Sequence, residues 1–301
     1  MNYLKKLTLS IIYFFKIKLI FKIVKNKNLS TLIRIADSSN YLQNNKKIKS
    51  IIFWTMHKCA STYVSKFLSM VAKEVDLKHF DYAGNIWELG NEINLKDPFL
   101  IELNCDFIYR SYGEIYGPMR TPFDFNLRSE LNNIFFLRDP RDLIISKYYS
   151  IAYSHSVPSH NYSKKKFLNL REQAKKKDIN TFFLEEIDNW IIPYYTKYKI
   201  MRENSELSSF YKYEDLKANP KKIFLDLSQN MNVNISEKSI ENLIEIFEKP
   251  FQKKKKNKSK NIFVHTRSGK SRQFENEIDN NVLNEANKKL EDILNFWNFK
   301  I

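Results

Sequence analysis

The chain predicts a three-layer α/β sandwich, a central parallel sheet between helices, with a helical appendage at its amino end. Three observations predict it. Short, nearly continuous apolar runs read as strands covered on both faces. Helical spacings follow those runs, and strands that alternate with helices are laid parallel. At 301 residues, 28% charged and 43% hydrophobic, the chain can also bury a sizeable core without disulfide or metal staples. Its two cysteines, Cys59 and Cys105, suit a reducing compartment and are too few for a structural zinc site.

Residues 1–45 separate from the body at 46–301. Within them Leu7–Val24 is apolar, but Lys16, Lys18 and Lys22 interrupt it, and a spanning helix needs about 20 mostly apolar residues. No small-residue cleavage site follows Leu7–Phe15, which argues against a signal peptide. Lys18, Lys22 and Lys25 share one helical face. Residues 7–25 therefore read as a basic amphipathic helix, either at an anionic membrane surface or packed on the body with its lysines in water. The expected location is cytoplasmic, peripheral at the membrane.

In the body, Ser50–Thr55 is the first strand, and Ser61–Val75 follows as a helix with Val64, Phe67, Leu68 and Val71 on one face. Phe107–Tyr112 reads as a strand and Tyr116-Gly117-Pro118-Met119-Arg120 as a turn ending in a cation. Asn133–Leu137 is another buried strand, and Pro140 suits the first turn of a helix running through Ile144 and Tyr148. Thr181–Glu203 is helical and Ser208–Tyr213 a strand. Asn219-Pro220 opens a helix to Met231, and Ser236–Phe247 and Asn281–Phe296 are two more. Lys253–Lys260, nearly all lysine, is expected to be a solvated, mobile loop.

Fifty Lys+Arg against 34 Asp+Glu give a formal net charge of +16. That excess favours an anionic partner: nucleic acid, membrane surface, polyanionic glycan or a phosphate-bearing cofactor. Two segments localise the anion chemistry. Thr55-Met56-His57-Lys58-Cys59-Ala60-Ser61-Thr62-Tyr63 joins a strand end to a helix start, where amide N–H groups and the helix dipole meet an anion and Lys58 adds a full charge. The order differs from G-x-x-x-x-G-K-[ST], because the lysine comes three residues before the Ser-Thr pair. Arg138-Asp139-Pro140-Arg141-Asp142-Leu143-Ile144-Ile145-Ser146 lies at a second strand end, with Ser146 two turns into its helix. In an open parallel sheet, ligands bind at the carboxyl ends of the strands.

Together these segments resemble the sulfotransferases that use 3′-phosphoadenosine 5′-phosphosulfate (PAPS). The pattern T-Y-P-K-S-G-T-T-W lies over Thr55–Tyr63 with Lys58, Thr62 and the aromatic Tyr63 in register, and R-N-P-x-D-x-x-x-S lies over Arg138–Ser146. Tyr213-Glu214-Asp215-Leu216, with Asn219-Pro220 after it, resembles the family's Y-E-D segment, and Arg267-Ser268-Gly269-Lys270 its late R-K-G element. The resemblance implies a P-loop-like phosphosulfate-binding loop. In it Lys58 contacts the phosphosulfate, while Ser61, Thr62 and the amides of Cys59 and Ala60 cradle the 5′-phosphate. Arg138 and Ser146 would hold the 3′-phosphate with Arg267, Gly269 and Lys270, and Tyr63 and Tyr213 would border the adenine. It further implies a nucleotide-binding transferase without a metal. The sulfuryl group would pass to a hydroxyl or amine of a glycan, lipid or small molecule, and no nucleic acid is expected.

The acceptor's general base is not identified. The family's Lys-Thr-His segment follows a strand ahead of the second motif, and Arg110-Ser111-Tyr112 is the comparable place here, with Arg110 in the lysine's position as a candidate catalytic residue. Tyr112 is a poor base near neutral pH, which leaves Glu114, His57, His79, His155 and His160. Ala60 stands where the family has glycine, so a positive φ there would strain the loop. Arg120 is a candidate acceptor contact. Two other readings stay open: a P-loop small-molecule kinase, and a non-catalytic basic module that binds membrane or nucleic acid.

Overall fold

The structure, a computed structural model, describes residues 48–81, 109–125, 128–157, 161–256 and 271–300. Strand β1 (Ile51–Trp54) leads into helix α1 (Ser61–Glu74), and β2 (Lys78–Phe80) follows. Next come β3 (Glu114–Met119), a 3-10 turn at Arg128–Glu130, β4 (Asn132–Leu137) and α2 (Pro140–Tyr149). Helix α2 runs on into a π turn (Ser150–Ser154). Helices α3 (Asn161–Lys176), α4 (Ile179–Glu186) and α5 (Ile192–Glu203) precede β5 (Leu207–Lys212). Then come α6 (Tyr213–Ala218), α7 (Pro220–Asn230), α8 (Glu237–Lys256), α9 (Phe274–Glu277) and α10 (Asn280–Phe296).

The five strands form one sheet in the order β2-β3-β1-β4-β5, and all four pairings are parallel. The chain leaves β1 towards β2 at one edge and leaves β4 towards β5 at the other. A crevice therefore opens at the carboxyl ends of β1 and β4, where these directions diverge.

Apolar alternation fixes both faces. Every residue of β1 is fully buried, as a strand covered on both sides requires, and each large side chain there stabilises the fold by about 1.5–3 kcal/mol. Trp54 packs edge-on to Phe123 and faces Tyr198 of α5. On the same face Phe135 of β4 meets Tyr198 and Trp297. The opposite face carries Phe53 and Phe136, 5.9 Å apart. Phe67 of α1 stacks on Phe224 of α7 at 5.1 Å. The polar ends of this core are satisfied internally: the Trp54 indole donates to Asn133 Oδ1 at 2.9 Å, and Tyr198 donates to the Thr55 carbonyl at 2.5 Å.

Helix starts follow their capping residues. Asp139 caps α2 ahead of Pro140, and Asn219 caps α7 ahead of Pro220, each side-chain oxygen taking an amide that the helix cannot satisfy. The helical stretch expected at Thr181–Glu203 is two helices, α4 and α5, joined by a π turn at Ile187–Ile191. Helix α8 reaches Lys256, so Lys253–Lys256 of the expected lysine loop are helical, and residues 257–260 lie outside the described residues. The 1–45 appendage also lies outside them. Among the described residues no helix is long and apolar enough to cross a membrane.

One strand differs from its sequence reading. Tyr109–Tyr112 is not a strand: Tyr112 makes an isolated bridge to Lys49 and Tyr109 stacks on Phe125, while the expected turn, Tyr116–Met119, is part of β3. Gly117 and Pro118 look like turn residues, but here glycine answers a close approach. Ile52 pairs with Tyr116 and Trp54 with Met119, so β3 carries an extra residue, a bulge. Gly117 lies there at φ +121°, and a Cβ on it would sit 2.6 Å from the Phe53 carbonyl oxygen. Gly117→Ala is therefore expected to cost about 2–3 kcal/mol, read from urea unfolding. An unchanged midpoint would show that β3 can slide away from Phe53.

Candidate active site

The carboxyl ends of β1, β3, β4 and β5 bring His57 and Lys58, Arg120, Arg138, and Tyr213 with Glu214 to one side of the sheet. The loop after β1 is bent by two left-handed residues, Lys58 (φ 75°) and Ala60 (φ 54°). Ala60 occupies the cap position of α1 and offers no side-chain acceptor or donor. The amides of Tyr63 and Val64 both return to the Ala60 carbonyl, so the Ser61 and Thr62 amides are left for an outside acceptor. Cys59 does not offer the amide expected of it. Its side chain is fully buried, burial pushes the thiol up to about 12, and its amide turns inward to the Met56 carbonyl at 3.3 Å.

Lys58 Nζ donates to Ser150 Oγ at 3.1 Å, at the residue where α2 becomes a π turn. Burial, and then the Arg138 charge, pull its pKa down to about 8. Ser146 lies one helical step before Ser150 and one after Asp142 (i, i+4), on the same face of α2. It is half-buried and sits between the two cationic ends of the site.

Arg138 is 4% exposed. Its Nη1 donates to the Lys58 carbonyl at 3.3 Å, tying the β4 loop to the β1 loop. Its guanidinium lies 4.7 Å above the Tyr213 ring, with Asp142 Oδ2 3.6 Å from Nη2. Burial works against its charge, but Tyr213, Asp142 and Glu214 outweigh it and raise the pKa. Even so, Nε and Nη2 have no hydrogen-bond partner among the described residues. Leaving such buried donors unmet costs about 1–3 kcal/mol, so a partner for them is a design requirement. Glu214 Oε1 accepts the Asp139 amide at 3.1 Å, Oε2 is unpartnered, and burial raises this carboxyl to about 7.

Arg141 has a different task. It grips Asp139 with two hydrogen bonds, at 3.0 and 2.7 Å, reaches Asn287 at 2.7 Å and the Lys300 carbonyl, and covers Phe274. It thereby fixes the turn and the carboxyl-terminal chain rather than facing the crevice. Asp142 accepts the amides of Arg272 and Gln273 at 2.8 and 2.7 Å, so the chain shortly after the late basic motif docks on the site. Arg267, Gly269 and Lys270 themselves lie outside the described residues.

Several expectations are corrected by this placement. Arg110 lies ahead of β3, at the opposite end of the sheet from Lys58, paired with the fully buried Glu114 at 3.5 Å. The strand preceding the second motif ends at Met119, so the segment that follows a strand into the site begins with Arg120. Arg120 donates to Ser61 Oγ at 3.1 Å and faces Asp81 at 3.9 Å. Tyr213 is buried with one face under Arg138, which leaves that face closed to stacking. Tyr63 is half-buried, and burial and then Tyr213 raise its pKa, so the two rings share one neighbourhood. Sequence reasoning missed Ser150 and the half-buried Glu214. The first has no motif, and the second sits inside the quoted Y-E-D segment without an assigned role. Among the described residues no His, Cys, Asp and Glu group is arranged to hold a metal ion.

A parallel sheet with an uncapped helix start and buried, unsatisfied arginine donors at its switch point defines an anion-handling α/β protein. The sulfotransferase domain matches residues 49–295, and the chain belongs to that family of enzymes. No curated protein matches it in sequence. Solved structures similar to it include retinol dehydratase in complex with retinol and PAP, at 14% identity over 88% of this chain and 86% of that one, with a TM-score of 0.46. Mouse sulfotransferase SULT7A1 complexed with PAP is 12% identical over 87% and 88%, with a TM-score of 0.45. A sulfotransferase from Alicyclobacillus acidocaldarius is 11% identical over 69% and 92%, with a TM-score of 0.34.

The Ala60 backbone is testable by itself. A left-handed conformation costs an L-residue about 1–2 kcal/mol, partly offset by the chain entropy glycine adds to the unfolded state. Ala60→Gly is expected to raise stability by about 0.5–1 kcal/mol in urea unfolding. A loss of stability would show that packing of the methyl outweighs the strain.

Proposed function

We propose that the protein transfers a sulfuryl group from PAPS to a hydroxyl or amine of a glycan, lipid or small molecule. The observation that carries this reading is Arg138, buried, with Nε and Nη2 unpartnered among the described residues, beside a helix start whose first amides lack a cap. Both features fit an anion with more than one phosphate-type group.

In this reading the Ser61 and Thr62 amides, with the amide of Ala60, hold the 5′-phosphate. Lys58 faces the bridging oxygen on which charge develops as the S–O bond breaks. Arg138 and Ser146 hold the 3′-phosphate, joined by Arg267, Gly269 and Lys270. Tyr63 borders the adenine, with Tyr213 behind Arg138 and touching the base by its edge. The protein's contribution is positioning and electrostatic stabilisation of the leaving phosphate. The body at 46–301 carries the reaction, and residues 7–25 either contact an anionic membrane surface or pack on the body.

Calorimetric titration with adenosine 3′,5′-bisphosphate (PAP), set against Mg-ATP, tests the reading. PAP is expected to bind without metal, and Arg138→Ala to weaken it by about 1.5–3 kcal/mol, as for charge-assisted hydrogen bonds. Tighter binding of Mg-ATP would overturn it in favour of a kinase, and binding of neither nucleotide in favour of a basic module. A pH series gives a second check. A bound anion favours the charged lysine, whose pKa in the free protein is about 8. PAP affinity is therefore expected to be flat below that pH and to fall above it, by up to about tenfold per pH unit. Constant affinity from pH 7 to 9.5 would contradict the role of Lys58.

A further inference from the structure

We propose that Arg171 of α3 is a positioning residue for the transfer: it holds the π turn after α2 so that Ser150 keeps the Lys58 ammonium in place. The inference rests on the sulfuryl-transfer reading above.

A lysine by itself aims poorly. Its four-carbon stem is flexible, and its three N–H groups rotate about Nζ. Here one N–H is committed to Ser150 Oγ at 3.1 Å, which leaves two for an anion and limits where they point. The position of Ser150 therefore decides the position of the Lys58 charge.

Ser150 is held from both sides. Its amide belongs to α2 and donates to the Ser146 and Lys147 carbonyls. Its carbonyl accepts the His155 amide at 2.8 Å, the bond that closes the π turn. Such turns are rare, and this one ends its helix, so the carbonyls after Ser150 have no later turn to pair with. Arg171 meets that need from another element. Its Nε donates to the Ile151 carbonyl at 2.9 Å, and its Nη2 donates to the His155 carbonyl. One guanidinium thus spans the turn, from the residue after Ser150 to the residue that closes on it. A rigid fork of donors can do this and a single ammonium cannot. A cation there also suits the negative end of the helix dipole.

Arg171 is itself fixed. Residues 158–160, with the candidate base His160 among them, lie outside the described residues, and α3 follows. The helix docks by one narrow stripe, half-buried Phe167 and Arg171 with buried Ala174, at i, i+4 and i+7. The other side chains of residues 164–176 are exposed. The Arg171 guanidinium lies 4.8 Å over the Phe167 ring, and that ring lies 5.3 Å from the His155 ring. Docking alone would be served by an apolar residue at the centre of the stripe. An arginine there, bonded to two carbonyls of the turn, serves the turn.

Kinetics on the full chain test the proposal, with PAPS hydrolysis as the reaction and PAP calorimetry as the control for binding. At saturating PAPS, Arg171→Ala and Ser150→Ala are each expected to lower hydrolysis at least about tenfold, with PAP affinity within about threefold of wild type. Because both act through one lysine, the double variant is expected to be no more than about twofold slower than the slower single variant. Losses that multiply would show two independent effects and overturn the proposal, as would a wild-type rate in Arg171→Ala. Arg171→Lys keeps the cation but not the fork. It is expected to share the slow rate while keeping the wild-type urea midpoint, and a wild-type rate there would show that charge matters rather than grip. Failure of the wild-type protein to bind PAP would instead remove the sulfuryl-transfer reading.

Discussion

The contact from the Arg138 guanidinium to the Lys58 carbonyl is the constraint on which the crevice depends. It crosses from the end of β4 to the end of β1, the two strands from which the chain departs in opposite directions. Without it, the two loops would be joined at that point only through the strands beneath them. The same guanidinium rests on Tyr213 and faces Asp142, so a single buried cation registers three strand ends. It also explains why Asp139 and Arg141 hold each other. Their bidentate pair anchors the start of α2 and the carboxyl-terminal chain, leaving Arg138 as the arginine of this motif that faces inward. Two arginines three residues apart thus divide the work. One is satisfied by the protein, and the other retains donors that the described protein does not meet.

Much of the fold was legible because its strands are unambiguous. Ile51–Trp54 and Ile134–Leu137 are apolar without interruption, and both are followed by residues that start helices. Such strands have few alternatives in a chain of this length. The strand at Glu114–Met119 was not legible. Its Gly-Pro pair carries the local signature of a turn, and only the non-local approach of Phe53 explains the glycine. That error moved the expected acceptor-side segment to Arg110, at the wrong end of the sheet. The roles of Arg138 and Arg141 could not be separated from spacing either. Which arginine is satisfied depends on Asn287 and Lys300, far along the chain.

Charge tells a similar story. The net excess of +16 says little about where the potential acts. The structure concentrates Lys58, Arg120 and Arg138 at the strand ends. Burial first, and then the Arg138 charge, lower the proton affinity of Lys58, while Cys59 is kept as an inert thiol by burial. The crevice is therefore an electrostatically stressed environment that an anion relieves, rather than a neutral cavity waiting for shape complementarity.

The left-handed backbone at Lys58 has an evolutionary corollary. Glycine would adopt φ 75° with less steric resistance than any residue bearing a Cβ, so selection for folding robustness by itself would drift that position towards glycine and discard the ammonium group. Under the role proposed for Lys58, activity and folding robustness compete at this one position. Directed-evolution campaigns scored only on thermal tolerance would be drawn to this loop first.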